Sequence, residues 1–386
     1  MTLRIGLITS EFPPDLGGVE TYAWQLAREL GRRQGLRVTV YAPPKSAGVT
    51  APPGVTIKPM IQSCIGLDWA KLKHEPIDVW HALCAGHAWI AEKNKPTVVS
   101  VHGNDFLAPY PLTARPALAL PGLWRLRPWV WRNLYPLWQS ATRRMLARAL
   151  PKANALIANS RYTADVLLAR HPACATKTHI AWVGVDPVFF EIARAPKSEV
   201  TQLLTVCRLS EERKNVDLVL RALATLKDRF NFEYTIAGEG TLRPALERLA
   251  DTLGLGTRVR FAGRVSDAAL CDLYARADLF VLAASIIPGS HEGFGIVYLE
   301  AAASGVPSLA ARLAGAAEAV AEGRSGIFVE HPDVASISNS LTRFLSGEMQ
   351  LNAEDCRDFA RDFSWAHVAD VAEVAYRQIC VRNSCL

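Results

Sequence analysis

The chain has 386 residues, half of them hydrophobic and 21% charged, with a formal net charge of +6. That length is too great for one ordinary core and suits two α/β domains, and the composition is that of a soluble globular protein. The opening apolar run Ile5–Ile8 meets Glu11 and a Pro pair almost at once, so no signal peptide is expected, and no stretch of about 18 apolar residues predicts a membrane span. The eight Cys form no C-x-x-C pair, so neither a zinc site nor a thioredoxin-type motif is expected, and free thiols in a reducing cytosol are. The charge is unevenly spread. Residues 1–187 carry 22 Lys+Arg against 11 Asp+Glu, a balance of +11, whereas the remainder carries 21 against 26, a balance of −5. The basic half is expected to face something anionic.

Short apolar runs alternate with amphipathic helical stretches, the pattern of parallel sheets with crossover helices. In the first half, strands are predicted at 4–9, 37–42, 79–81, 97–101 and 155–158. A helix is predicted over 18–30, where Val19, Tyr22, Leu26 and Leu30 share one face. Gly17-Gly18-Val19-Glu20 follows the first strand and opens that helix, and paired glycines permit close backbone approach to a bound group. His102-Gly103-Asn104-Asp105 follows the strand at 97–101 and projects from the carboxyl edge of the sheet. A lone His there is as readily structural as functional.

The interdomain linker is placed at 187–200, where Pro and charges break the periodicity. A second series of strands is predicted at 203–206, 233–237, 259–262, 279–282, 308–310 and 327–329. Arg208 follows its first strand and Lys214-Asn215 opens the next helix, the position where open α/β sheets bind ligands. An Arg fork and a Lys point charge there suit a diphosphate, although a charged surface turn with Glu211, Glu212 and Arg213 explains them too. Gly238-Glu239-Gly240 is a weak signal, equally a tight turn. Glu292-Gly293-Phe294-Gly295 ends a loop, and Glu300 sits on the following helix, eight residues on. Two carboxylates can each accept from the paired hydroxyls of a sugar or ribose, and the glycines let backbone N–H groups approach a phosphate. Helix-start carboxylates are the competing explanation. In the last helix, Trp365, Val368, Ala372, Ala375 and Ile379 form one apolar stripe, which by pattern alone packs on the second domain.

Taken in order, these pieces resemble glycosyltransferase family 4, of the GT-B fold. The resemblance runs over roughly residues 5–365 and includes Phe12-Pro13-Pro14, Gly17-Gly18-Val19-Glu20, His102 to Asp105, Ala158-Asn159-Ser160, Arg208-Leu209, Lys214-Asn215, Gly238-Glu239-Gly240, Glu292 to Gly295 with Glu300, and Ala303 to Pro307. It implies an α/β protein of two Rossmann-like parallel-sheet domains facing across a cleft: an acceptor-binding domain at 1–187, a nucleotide-sugar domain at 188–363, and a final helix, 364–386, that crosses back to the first. It further implies retaining transfer of a hexose from a GDP- or UDP-sugar. His102, Arg208, Lys214 and Glu292 take the catalytic positions; Gly18, Gly238, Gly293, Phe294, Gly295 and Glu300 take the donor-binding ones, with Glu300 on the ribose. Glycosyl–phosphate cleavage leaves a more negative diphosphate, and a fixed cation aimed at it contributes about 10²–10³ in rate. No D-x-D occurs, so Arg and Lys rather than a metal are expected to act, with no cofactor beyond the sugar nucleotide. Two loops depart from the family pattern: Trp182-Val183-Gly184-Val185-Asp186 lacks the usual Asn, and Gly315-Ala316-Ala317-Glu318 lacks the second Gly and the Pro.

Between Asp105 and Asp165 there is no acidic residue, but nine Lys+Arg, together with four of the ten Trp. Asp105, Trp124, Arg127, Trp129, Trp131 and Arg132 are therefore candidates for acceptor or membrane contact, since Trp and Arg together suit the bilayer interface. The expectation is a cytoplasmic enzyme, peripheral on the inner face of the membrane, with a lipid-linked glycan acceptor. A solvated helical insert is the competing explanation, and single-stranded nucleic acid is disfavoured because no RNA-binding motif is present.

Overall fold

The structure, a computed structural model, describes residues 2–15, 17–109 and 127–384, and the side chains of all of these but 127–134 and 382–384. Two compact units divide the chain: Met1–Val183 with Trp365–Leu386, and Gly184–Ser364.

In the first unit the order is β1 (Leu3–Ile8), α1 (Gly18–Gly31), β2 (Leu36–Ala42), β3 (Val55–Pro59), α2 (Ile65–Leu72), β4 (Val79–Ala82), β5 (Thr97–Val101), α3 (Asn104–Leu107), α4 (Arg127–Ala149), β6 (Ala155–Ala158), α5 (Arg161–Arg170) and β7 (Thr178–Ile180). The seven strands form one sheet in the order β3-β2-β1-β4-β5-β6-β7, every pairing parallel. The central strands are apolar on both faces, as a sheet covered on both sides requires; all of β4 and β5 is buried. The sequence pattern misses β3 and β7. Both lie at sheet edges, are short, and show no fully buried residue, so neither carries the apolar run that marks the interior strands.

The second unit runs β8 (Thr201–Val206), α6 (Val216–Ala224), β9 (Phe232–Ala237), α7 (Arg243–Thr252), β10 (Val259–Gly263), α8 (Asp267–Arg276), β11 (Leu279–Leu282), α9 (Ile296–Ala303), β12 (Ser308–Ala311), α10 (Ala316–Ala319), β13 (Gly326–Val329), α11 (Val334–Leu345) and α12 (Ala353–Arg361). Its parallel sheet has the order β10-β9-β8-β11-β12-β13. In each sheet the order reverses beside the first strand of the unit, between β1 and β4 and between β8 and β11. Loops leaving such a reversal part in opposite directions and open a crevice at the carboxyl edge. The segments carrying Gly18, Arg208 and Glu292 all leave from these strands, and His102 leaves from β5, next in the sheet.

The final helix, α13 (Trp365–Ser384), belongs to the first unit. Its stripe Trp365, Val368, Ala372, Ala375 and Ile379 is buried, but against the first unit rather than the second, which periodicity alone suggests. Arg33, just past α1, donates to Asp370 at 2.6 Å and to the Ala366 carbonyl at 3.1 Å, and Tyr376 reaches His81 on β4 at 2.6 Å. Among the described residues no helix is long and apolar enough to cross a membrane, and the seven cysteines there are free thiols.

Packing separates two kinds of glycine in the motifs. At Gly238, with φ +140°, a Cβ would stand 1.8 Å from the Cys207 carbonyl oxygen, and at Gly240 it would stand 2.1 Å from the Leu209 carbonyl carbon. The loop after β9 lies directly on the loop after β8, joined by the Leu209 N–H to the Glu239 carbonyl at 2.9 Å. At Gly18 a Cβ would meet nothing within 4 Å. Gly238→Ala is therefore expected to cost about 3 kcal/mol or more in urea unfolding, and Gly18→Ala less than about 1 kcal/mol; equal losses would contradict this division.

Candidate functional site

In the second unit the site is built on the turn between β8 and α6. This turn places Arg213 and Lys214 on one carboxylate. Lys214 Nζ donates to Glu292 Oε2 at 2.5 Å and Arg213 Nη1 donates to the same oxygen at 3.1 Å. Arg213 also pairs with Glu211 at 2.5 Å and donates from Nε to Ser290 Oγ at 3.0 Å. The Arg213 side chain is only 4% exposed and those of Lys214 and Glu292 are 11% and 12% exposed, so these ion pairs are far less screened than surface ones. Burial by itself would raise the Glu292 pKa; Lys214 and then Arg213 overturn that and hold it down at about 2. Glu292 is thus a fixed anion.

The turn is locked from the other side by Asn215, which sits in the left-handed region at φ 54°, a conformation Asn tolerates. Its Nδ2 donates to the Ala283 carbonyl at 2.7 Å and to Ser285 Oγ at 2.6 Å, and the Ser285 N–H donates to the Arg213 carbonyl at 2.7 Å. Arg208 is exposed and lines, with Glu211, Arg213, Asn215 and Ser285, a groove of about 470 Å³ whose apolar side includes Leu246.

Glu300 lies in a different field. It is buried on α9 and accepts from Tyr274 Oη at 3.1 Å. Burial raises its pKa to about 7; the Tyr274 bond works against this, and the like charges of Asp186 and Asp267 reinforce it. Two carboxylates eight residues apart are therefore pushed in opposite directions, one ionised throughout and one titrating near neutral pH, a separation typical of sites that use carboxyl groups chemically.

Between them, Gly295 takes φ +93°, and a Cβ there would strike Tyr298 at 2.6 Å. The Phe294 ring is core, 2% exposed and 5.7 Å from Phe363, so only its backbone is available to a ligand. The loop 314–318, which departs from the family pattern, lies on this one: Gly315 N–H donates to the Glu292 carbonyl at 3.0 Å, and a Gly315 Cβ would fall 2.1 Å from the Gly293 carbonyl oxygen. Ala314, at the start of this loop, takes φ 51°, a region that favours glycine.

In the first unit His102 leaves β5 and is held at three points. Its Nε2–H donates to the Leu83 carbonyl at 2.8 Å, its backbone N–H donates to Asp105 Oδ1 at 3.0 Å, and its ring meets the Tyr22 ring edge-on at 4.6 Å. With Nε2 as the donor, a neutral ring leaves Nδ1 as an acceptor. Asp105 uses its second oxygen for the Ala85 N–H at 2.7 Å; it joins the loops after β4 and β5. Gly18 opens α1 at the end of the loop after β1. Of the remaining candidates, Trp124 lies outside the described residues, as do Arg115 and Arg125. Arg127, Trp129, Trp131 and Arg132 lie in α4 with side chains outside them.

Two family models match consecutive halves of the chain: "Glycosyltransferase Family 4" over residues 16–189 and "Glycosyl transferases group 1" over residues 190–363. The chain belongs to glycosyltransferase family 4. Among curated relatives of this glycosyltransferase, the D-inositol 3-phosphate glycosyltransferase of Mycolicibacterium smegmatis is 29% identical, over 94% of this chain and 86% of that protein. Among solved structures, sucrose-phosphate synthase from Thermosynechococcus elongatus superposes with a TM-score of 0.77 at 18% identity, over 98% of this chain and 100% of that one. HepE of Anabaena, solved with UDP and glucose, gives 0.68 at 20% identity, with full coverage of both chains. These likenesses establish the GT-B fold.

Three residues of the candidate site act in ways that sequence reasoning does not show. Arg213 stands beside Glu211 and Glu212 and reads as a solvated charged turn, yet it is the most buried cation of the cluster. Tyr274 and Asp186 act on Glu300 from α8 and from the loop before β8; Tyr274 has no local signature, and the loop motif that contains Asp186 does not show that it faces Glu300.

The Glu300 environment has a thermodynamic consequence. Its folded pKa, about 7, lies above the usual 4.5, so the folded form keeps a proton that the unfolded form has lost. The stabilisation is complete below the unfolded value and is lost as pH rises through 7. Glu300→Gln is expected to gain stability relative to wild type on going from about pH 5 to about pH 8, by on the order of 2–3 kcal/mol. A wild-type-to-variant gap in urea midpoints that does not change with pH would contradict the assignment.

Proposed function

We propose that this glycosyltransferase is retaining and metal-independent and moves a hexose from a GDP- or UDP-sugar to an acceptor hydroxyl. The observation that carries the reading is the Glu292 cluster: a buried anion fixed by Arg213 and Lys214, beside a glycine loop and a second carboxylate suited to sugar hydroxyls. When the bond between the sugar and the diphosphate breaks, its electron pair stays on the diphosphate oxygen. Arg208 and Lys214 stabilise that charge, each with about 10²–10³ in rate. Glu292 and the backbone of Gly293 to Gly295 bind the sugar, and Glu300 accepts from the ribose. Gly238 shapes the strand end on which Arg208 stands. His102 and Gly18 serve from the first unit, which takes the acceptor. The complex of HepE with UDP and glucose supports a nucleotide-sugar donor, and family membership supports retention.

For the acceptor, a lipid-linked glycan in surface polysaccharide, lipopolysaccharide or glycolipid assembly is proposed, with the enzyme peripheral on an anionic membrane. The basic, tryptophan-rich stretch after Asp105 supports it, as does the likeness in fold to WaaG, described as involved in lipopolysaccharide biosynthesis (TM-score 0.66, 20% identity). A second reading, a small soluble acceptor, is favoured by the D-inositol 3-phosphate glycosyltransferases among the relatives.

Thermal unfolding with UDP, GDP, ADP and NAD, each with and without EDTA, tests the donor. One nucleoside diphosphate at about 100 times its dissociation constant is expected to add roughly 2.7 kcal/mol, to do so in EDTA, and to lose the effect in folded Arg208→Ala/Lys214→Ala. Stabilisation by NAD alone, or dependence on a metal, would overturn the reading. Flotation with vesicles containing anionic lipid separates the acceptors: association at low salt is expected for the lipid-linked one, and its absence would leave the small acceptor.

A further inference from the structure

Behind His102 the first unit buries a chain of polar groups drawn from four elements. Tyr376 on α13 meets His81 Nδ1 on β4 at 2.6 Å, His81 Nε2 meets Ser100 Oγ on β5 at 2.8 Å, and Ser100 Oγ meets Tyr22 Oη on α1 at 2.8 Å. None of the four residues is more than 1% exposed. Water cannot replace a lost partner there, so each link depends on the others. Burial, with His102 nearby, pushes the His81 pKa down to about 3, and the ring is neutral with a single N–H. One proton shared between two ring nitrogens gives the chain a direction. If Tyr376 donates to Nδ1, then Nε2 donates to Ser100 and Ser100 to Tyr22; a change at Tyr376 is felt at Tyr22.

Tyr22 is where this chain meets the site. Its ring lies edge-on to the His102 ring at 4.6 Å and to the Trp365 ring at 5.8 Å, while its hydroxyl is tied to Ser100. Ser100 and His102 are two residues apart on β5 and beyond, so they share a side of the strand. The His102 imidazole therefore has the Leu83 carbonyl on one nitrogen and a ring whose placement is fixed by groups as distant as the last helix.

We propose that Tyr376, acting through His81, Ser100 and Tyr22, is a positioning residue for His102, so that α13 sets the orientation of the imidazole in the first unit's site. This rests on the reading of His102 as a residue of the transfer reaction. The test uses the full chain with ¹⁵N- and ¹³C-labelled histidine, in wild type, Tyr376→Phe and Tyr22→Phe, with His102→Ala to assign the signal. It is paired with steady-state hydrolysis of UDP-glucose and GDP-mannose. In both variants the His102 ring signals are expected to move from their wild-type positions. For the sugar nucleotide that is turned over, kcat is expected to fall about 3- to 10-fold with KM unchanged, the signature of a misplaced group rather than a lost contact. Variants that melt earlier but keep wild-type His102 signals and kcat would reduce the chain to core packing and overturn the proposal. Wild-type turnover in His102→Ala would instead remove the reaction role of His102, while the ring signals still decide whether Tyr376 positions it.

Discussion

A single carboxylate oxygen organises the second unit's site. Glu292 Oε2 receives both Lys214 and Arg213, and through them the turn after β8 is bound to the loop after β11. Such a pair gains stability only when desolvation of the ions is offset by close geometry and further hydrogen bonds. Here those bonds are present: Ser290 and Glu211 complete Arg213, and Asn215 with Ser285 closes the turn. Removing Glu292 would leave the buried Arg213 and Lys214 charges without it. The arrangement is stable as an ensemble and intolerant in its parts.

The first unit solves the same problem without an ion pair. Asp105 spends its two oxygens on the backbone N–H groups of His102 and Ala85, and so ties the loops after β4 and β5. A carboxylate held by backbone donors fixes loop geometry. Asp105 is thus part of the frame that holds the His102 backbone.

Much of this is legible in the sequence, and what is not shares a cause. Interior strands show as uninterrupted apolar runs because both faces are covered, and each of them can be read. The edge strands β3 and β7 have half-wet faces and no such run. Motif glycines stand out, but spacing does not say which neighbour a glycine makes room for: Gly238 and Gly240 accommodate the adjacent loop, Gly295 a Tyr298 ring, and Gly18 open space. The helical stripe of α13 reads as one buried face, yet the pattern points to the second unit, its neighbour in sequence, whereas the first unit covers it. Arg213 is the hardest case. Local sequence surrounds it with charge and suggests solvent, and only the return of the chain nearly eighty residues later, at Glu292, buries it.

The chain leaves the first unit near residue 183 and re-enters it at 365, and His81 meets its partner Tyr376 across 295 residues of sequence. A chain made at about 5–20 residues per second needs roughly 15–60 s to span that interval. For the later part of that time, once Ile180 has completed the sheet, the nascent first unit has its sheet and α1 but lacks the helix that covers them. The second unit is contiguous and can close as soon as it is made. Synthesis order and completion order are therefore reversed: the amino-terminal unit is begun first and finished last, and in the interval its uncovered apolar face and unmatched histidine are exposed to the folding machinery of the cell.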